Sequence, residues 1–181
     1  MNSMIAALQE GLIKAVGVSN FDSRQLQIAH DFLQKKGVQL ASNQVEFSLI
    51  NRVPEKSGLL ELCYQLGVKI IAYSPLGMGV LSGKYTPDEM PEGLRGRRFS
   101  RKFLEAVQPL ISQLRRIGAV YEGKSPAQVA LNWIICKNAL PIPGAKTLYQ
   151  AQQNAGSIGW QLSEEDVASL DAVSDQVLLK L

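Results

Sequence analysis

The 181-residue sequence predicts an α/β fold, half of a (β/α)8 barrel, and three observations predict it. Short β-branched runs alternate with longer amphipathic ones, the pattern of βα units feeding a parallel sheet. Four such units follow one another at regular spacing, whereas a complete (β/α)8 barrel needs about 250 residues. Each β run also turns polar or glycine-rich at its C-terminal end: Gly17-Val18-Ser19-Asn20, Asn43-Gln44-Val45-Glu46, Tyr73-Ser74-Pro75-Leu76-Gly77 and Ile142-Pro143-Gly144-Ala145-Lys146. Four strand ends that become polar on the same side point to one site at the C-terminal mouth of a parallel array.

Residues 4–11 read as the last turns of a helix, and residues 14–19 as the first strand. Asp22 or Ser23 caps the next helix, whose apolar stripe is Leu26, Ala29, Phe32 and Leu33. It stops at Gly37, behind Lys35 and Lys36. Residues 40–47 form the second strand, and residues 57–66 a helix ending at Gly67. Residues 68–73, nearly all apolar, read as a third strand buried on both faces. A Gly- and Pro-rich irregular segment runs from residue 77 to about residue 100, long enough to fold over a ligand. Helices follow at 101–121 and 126–137, the second with Ser125 as cap and Pro126 in first position. The fourth strand, residues 140–143, is short and proline-bounded. Helices at 148–155 and 164–173 follow it, with Ser163 as cap and Asp166 as its capping-box partner.

Composition is that of a globular protein, 46% hydrophobic and 19% charged. A net charge of +3 is too mild to argue for nucleic acid. The densest basic stretch, residues 95–102, reads as a solvated loop and helix start, with phosphate attraction as the alternative. Cys63 and Cys136 both lie in apolar helix-like runs and are expected to be buried free thiols. No apolar run reaches the about 18 residues that span a bilayer. Residues 1–7 lack the composition of a secretory signal or transit peptide, so no address is expected in them.

The strand ends supply the candidate site. Tyr73 ends an apolar strand, where its ring can stack on a planar heterocycle or simply close the core at the rim. Asn20, Asn43 and Gln44 carry carboxamides, which donate and accept together and so can read another carboxamide such as that of nicotinamide. Singly, each is a common turn or cap residue. Gly144 and Ala145 let a phosphate approach backbone at a helix N-terminus, Lys146 adds a cation, and Gln150, Gln153 and Asn154 follow at helical spacing. Gly77, Gly79 and Gly83 miss the dinucleotide fingerprint spacing by one residue and lack its strand-turn-helix context, which excludes a Rossmann domain. The lone histidine, His30, falls inside a helix beside Ala29 and is expected to be structural. Tyr64, Tyr85, Tyr121 and Tyr149 stand away from strand ends, and Lys14 precedes its strand. No catalytic residue and no metal ligand set is assigned.

The four strand-end motifs, with Phe21 after the first and Leu81-Ser82-Gly83-Lys84-Tyr85 after the third, resemble the aldo-keto reductases, most of all plant and cyanobacterial members. The resemblance covers essentially the whole chain. It implies that residues 1–181 are the C-terminal half of the barrel, strands five to eight, and that the parent fold binds NADP in an extended pose and reduces small aldehydes or ketones. Residue by residue, it implies that Ser19, Asn20 and Gln44 bind the nicotinamide carboxamide and that Tyr73 stacks on the ring. Ser74, Leu76 and Gly77, with Leu81 and Gly83, are implied as pyrophosphate and ribose contacts. Lys146 is implied at the 2′-phosphate, with Gln150, Gln153 and Asn154 toward the adenosine. Relatives often carry Arg or Lys in place of Gln150 and Glu in place of Gln153, which leaves the choice between NADPH and NADH open. The family's catalytic Asp, Tyr, Lys and His lie on the first four strands, so the expectation is a cofactor half without its proton donor. The alternative is a non-catalytic half-barrel that binds nucleotide weakly, or that pairs with another copy or with a complementing N-terminal half. The resemblance further implies a chloroplast or cytoplasmic home, with neither nucleic acid nor membrane as partner.

Overall fold

The computed structural model describes residues 1–179, with Leu94 and Arg95 described by backbone alone. Four strands, β1 (Val16–Ser19), β2 (Leu40–Glu46), β3 (Lys69–Tyr73) and β4 (Leu140–Pro141), form one parallel sheet in the order β1-β2-β3-β4. The helices among the described residues are α1 (Asn2–Gln9), α2 (Ser23–Gln34), α3 (Val53–Lys56), α4 (Leu59–Gln65), α5 (Gly93–Arg98), α6 (Arg101–Val120), α7 (Pro126–Cys136), α8 (Leu148–Ala155) and α9 (Glu164–Leu178), with a 3-10 stretch at Gly77–Ser82. Strand order follows chain order because every crossover carries a helix back over the same face.

Register sorts the side chains. Ser19 pairs with Gln44, Gln44 with Ile71 and Ile71 with Leu140, so these four share a face. Glu46 and Tyr73 pair on that same face, one step closer to the mouth. The opposite face presents Val16, Asn43, Val45, Ile70 and Ala72, all buried beneath the helices. The third strand is therefore buried on one face only: Ile70 and Ala72 are covered, whereas Lys69 is exposed and Ile71 and Tyr73 are half-buried. That second face is the more open of the two.

Other boundaries differ from expectation for local reasons. The helix expected at 57–66 is α4 and starts at Leu59, because Gly58 at φ +78° stands before it as its cap, and the short helix α3 precedes that glycine without having been expected. The fourth strand is shorter than 140–143, ending at Pro141. Ile142 N still donates to Ala72 O at 3.0 Å. The segment after residue 77 is not wholly irregular, holding the 3-10 stretch and α5, and α9 runs past Val173 to Leu178. Asp22, not Ser23, caps α2, in a reciprocal box with Gln25 (2.8 and 3.1 Å). At α9, Ser163 Oγ accepts from Asp166 N at 3.1 Å, but the return leg passes through Tyr121. Ser163 N donates to the Tyr121 hydroxyl at 2.9 Å, and that hydroxyl donates to Asp166 at 2.8 Å.

The outer layer is fastened by a charged cluster under α7 and α9. Arg52 pairs with Glu55 (2.6 Å), Asp171 (3.3 Å) and Asp175 (3.0 Å), while Lys137 pairs with Glu55 and Asp171, both at 2.6 Å. Burial pushes the Glu55 carboxyl up, but hydrogen bonds from Arg52 and Lys137 outweigh it and hold it below its ordinary 4.5. The hydrogen bond from Lys56 likewise holds Asp175 below 3.8. A carboxyl depressed in the folded state stabilises above its unfolded pKa and loses that contribution as pH falls through its folded value. The urea midpoint is thus expected to hold near neutrality and to drop once the pH passes below 4.5 and then 3.8. A midpoint that rises on acidification removes this linkage.

Both cysteines are free, Cys63 buried and Cys136 half-buried, and burial pushes the Cys63 thiol up to about 11. No described helix is long and apolar enough to cross a membrane.

Candidate functional site

The C-terminal strand ends converge at one edge of the sheet, and each is shaped by its local sequence. After β1, Asn20 takes φ +57°, a left-handed position that asparagine tolerates. Asn20 N donates to Gln44 O at 2.8 Å and Ser19 Oγ to the same oxygen at 3.1 Å, tying the two strand ends together. The adjacent carboxamides of β2 part company because successive side chains point to opposite faces. Gln44 is half-buried on the more open face. Asn43 is fully buried on the helix side, where Nδ2 donates to Phe21 O at 2.9 Å and Oδ1 accepts from Phe21 N at 3.4 Å. Asn43 is thus a clasp for the β1–α2 turn and is unavailable to a ligand. Asn43→Ala is expected to cost about 1–3 kcal/mol by stranding the Phe21 backbone groups. Gln44→Ala should leave the urea midpoint nearly unchanged, and equal losses at the two positions would contradict this division.

After β3 the main chain enters the left-handed region at Ser74 (φ +50°), Gly77 (+53°), Met78 (+57°) and Gly79 (+98°). Strain at the non-glycine positions Ser74 and Met78 is the kind that persists where surrounding structure enforces it. Gly77 is doubly constrained, because a Cβ there would also run into Ile50 Cδ1. After β4, the loop from Ile142 to Lys146 lies open to solvent and is stitched to α8. Thr147 Oγ1 accepts from Gln150 N at 3.2 Å, Gln150 Oε1 accepts from Lys146 N at 2.7 Å, and Asn154 Nδ2 donates to Gly144 O at 3.4 Å. No atom lies within 4 Å of where a Gly144 Cβ would stand.

Between these two loops lies a groove of about 700 Å³. Of the candidate residues, Ser74, Leu76, Gly144, Ala145, Lys146, Gln150, Gln153 and Asn154 line it. Ser19, Asn20, Gln44 and Tyr73 do not line it but lie at neighbouring strand ends, with Ser19, Gln44 and Tyr73 on the more open face. Three more candidates are also absent from its lining. Leu81 has no exposed surface and packs in the core, and Gly77 is buried against Ile50. Gly83 faces α6, where a Cβ would press on Ile111 at 3.0 Å and Arg115 at 3.2 Å. The groove adds Ser82, Lys84 and Thr147, which the sequence reading left without a role. Lys84 directly follows Gly83 in the same motif, and Thr147 precedes a helix, the position where a cap is expected.

No Asp or Glu among the described residues lines the groove, while Lys84 and Lys146 do. That donor set, with hydroxyls at Ser74 and Thr147 and open backbone at Gly144, fits an extended ligand bearing phosphates, while the Ser82 hydroxyl donates to Gly79 O at 2.7 Å. The volume also falls within the roughly 300–1,000 Å³ of ordinary ligand clefts. His30 lies in α2, its Nδ1 3.2 Å from Asp31, and Tyr121 is committed to the α9 cap. Among the described residues no cluster of three or more His, Cys, Asp or Glu could hold a metal. In the basic stretch, Arg101 pairs with Asp88 and Glu105 (2.9 and 3.2 Å) and Arg98 stands 4.0 Å from Glu46; the Arg95 side chain lies outside the described residues.

Residues 1–175 match the family model described as the aldo/keto reductase family, and the chain belongs to that family. Pyridoxal reductase, chloroplastic, of Arabidopsis thaliana is 41% identical over 170 residues, spanning 94% of this chain and 46% of that protein. Aldo-keto reductase str7 of Strobilurus tenacellus is 32% identical, spanning 97% of this chain and 53% of that one. The thermostable aldo-keto reductase Tm1743, solved with the inhibitor epalrestat, superposes with TM-score 0.74 at 29% identity over 95% of this chain and 53% of its own. Glycerol dehydrogenase AKR11B4 from Gluconobacter oxydans gives 0.81 at 25% identity over 93% and 51%. The chain spans about half the length of these relatives, and its four-strand parallel sheet is half of their (β/α)8 barrel.

Proposed function

We propose that this chain is the cofactor-holding half of an NADP-dependent aldo-keto reductase that reduces small aldehydes or ketones, its four strands standing as five to eight of the barrel. The observation that carries the reading is the groove, where the β3 and β4 loops bring two lysines, the Ser74 and Thr147 hydroxyls and open backbone together, with no Asp or Glu among the described lining residues. Lys146 and Lys84 are the cations for the phosphates, and Ser74 and Leu76 flank the central part. Gln153 and Asn154 stand toward the adenosine end, while Gln150 spends its side-chain oxygen holding the Lys146 backbone. Ser19, Asn20 and Gln44 offer donors and acceptors for a carboxamide, and the Tyr73 ring supplies an apolar face beside them. When bound, the reduced nicotinamide supplies hydride to the carbonyl carbon. The product alkoxide then needs an acid within hydrogen-bond reach, and no side chain at these strand ends is assigned that role.

Lys84 and Lys146 beside the groove, with no Asp or Glu among its described lining residues, support NADPH over NADH, because a 2′-phosphate meets cations there. NADPH titrated into the 181-residue chain is expected to bind saturably. Lys146→Ala should weaken NADPH about tenfold, roughly 1.4 kcal/mol, and leave NADH almost unaffected. No NADPH binding by a demonstrably folded chain would overturn the cofactor reading. The Arabidopsis relative's name makes pyridoxal the first carbonyl to offer, and also supports a chloroplast home. NADPH oxidation by the isolated chain should not exceed the blank, and turnover at the rate of an intact reductase would overturn the claim that the acid is missing.

A further inference from the structure

Among the described residues Tyr149 is the one aromatic side chain that lines the groove. It lies in the first turn of α8, three residues past Lys146. Tyr149 and Gln153 stand four apart, as do Gln150 and Asn154, so these four share the helix face that borders the groove. The described lining residues come from the β3 loop, the start of α7, the β4 loop and α8, so both walls of the groove belong to this chain.

The polar neighbours of Tyr149 are already engaged. Gln150 Oε1 accepts from Lys146 N at 2.7 Å and Asn154 Nδ2 donates to Gly144 O at 3.4 Å, so both carboxamides hold the β4 loop to α8. Other rings of the described chain have partners: Tyr121 lies 5.2 Å from Trp160, Phe47 5.1 Å from Trp133, and Lys84 Nζ 4.7 Å from the Tyr85 ring. No ring or cation lies in such contact with Tyr149 among the described residues. A groove whose polar side chains are tied down, with one unpaired aromatic face, suits a flat ligand group at that end.

We infer that the Tyr149 ring stacks on the adenine of the bound dinucleotide, an inference that rests on the NADP-dependent function proposed for the chain. An extended dinucleotide carries a planar heterocycle at each end and phosphates between them. In that function Tyr73, at the sheet, serves the nicotinamide and the lysines serve the phosphates, which leaves the adenine to the ring on α8. Stacking holds a base by its π face and reads no edge, so it needs neither the Gln150 nor the Asn154 carboxamide. It also acts on a part that NADPH and NADH share. Tyr149 thus sets affinity for the dinucleotide, while Lys146 sets the choice between its two forms.

Fluorescence titrations of the 181-residue chain separate these roles. Tyr149→Ala should weaken NADPH and NADH by the same factor, about tenfold, whereas Lys146→Ala acts on NADPH alone. Reduced nicotinamide mononucleotide, which lacks the adenosine, should bind Tyr149→Ala as it binds the parent. Tyr149→Phe keeps the ring and should restore both dinucleotide affinities. The urea midpoint should hold in both variants, because Tyr149 lies outside the buried core. Equal NADPH affinity in the alanine variant and the parent overturns the inference and leaves the cofactor reading standing. So does a loss confined to NADPH, an equal loss of the mononucleotide, or a loss in Tyr149→Phe as large as in Tyr149→Ala. Failure of the folded parent to bind NADPH strikes the cofactor reading, and this inference with it.

Discussion

Replacing Arg52 with alanine is expected to destabilise the chain by about 3–5 kcal/mol, read as a fall in the urea midpoint followed by tryptophan fluorescence. Arg52 is only 6% exposed and meets three carboxylates, besides donating from Nη1 to Asp171 O at 2.8 Å. Its guanidinium also lies 5.8 Å from the centre of the Trp133 ring, and Trp133 Nε1 donates to Asp171 at 2.9 Å. Truncation leaves Glu55 and Asp171 crowded together with Lys137 as the cation directly on both. The cost is that of carboxylates stripped of a partner in a poorly solvated place, larger than that of an exposed pair. Arg52→Lys should recover only part of the loss, since a point charge cannot serve three directions at once. A loss below about 1 kcal/mol for the alanine variant would show the cluster to be screened like a surface ion pair.

Asn132→Leu should cost about 3 kcal/mol or more, although the side chain is close in size and sits in an apolar helix. Asn132 is fully buried and makes three bonds to the connection between α8 and α9. Nδ2 donates to Ser157 O at 3.0 Å and to Trp160 O at 2.8 Å, and Oδ1 accepts from Leu162 N at 3.0 Å. Leucine leaves all three backbone groups without partners where water cannot replace them. The connection continues directly into α8, which carries Gln150, Gln153 and Asn154 and has no buried residue of its own to hold it. NADPH affinity should therefore fall in this variant even though Asn132 does not line the groove. Unchanged stability with unchanged affinity would show that the connection is held by other contacts.

Legibility followed range along the chain. The caps at Asp22, Ser125 and Ser163 involve residues three apart, and each was readable from local spacing. The start of α4 was placed two residues early, at Ser57, because a glycine near a helix end does not show in sequence which side of it the helix lies on. Of the candidate site, the β4 loop was the most readable, since Gly144 to Asn154 form one continuous stretch. Lys84 was passed over because nothing local distinguishes a groove lysine from a solvated one. Leu81 was placed at the ligand by its motif, but its side chain turns into the core.

By itself the sequence determined the class of fold, the chain order of its units and the edge of the sheet at which polar groups gather. Those follow from periodicity and capping, which act over a few residues. Only the tertiary structure decided which of two adjacent carboxamides is spent on the Phe21 backbone and which is left facing the other side of the sheet. Asn43 and Gln44 are chemically alike, and what separates them is the face of the pleat on which each falls. The tertiary structure likewise decided that Ile70 and Ala72 are buried while Ile71 and Tyr73 between and beyond them are only half-buried, because burial depends on which segments distant in sequence come to lie across each face.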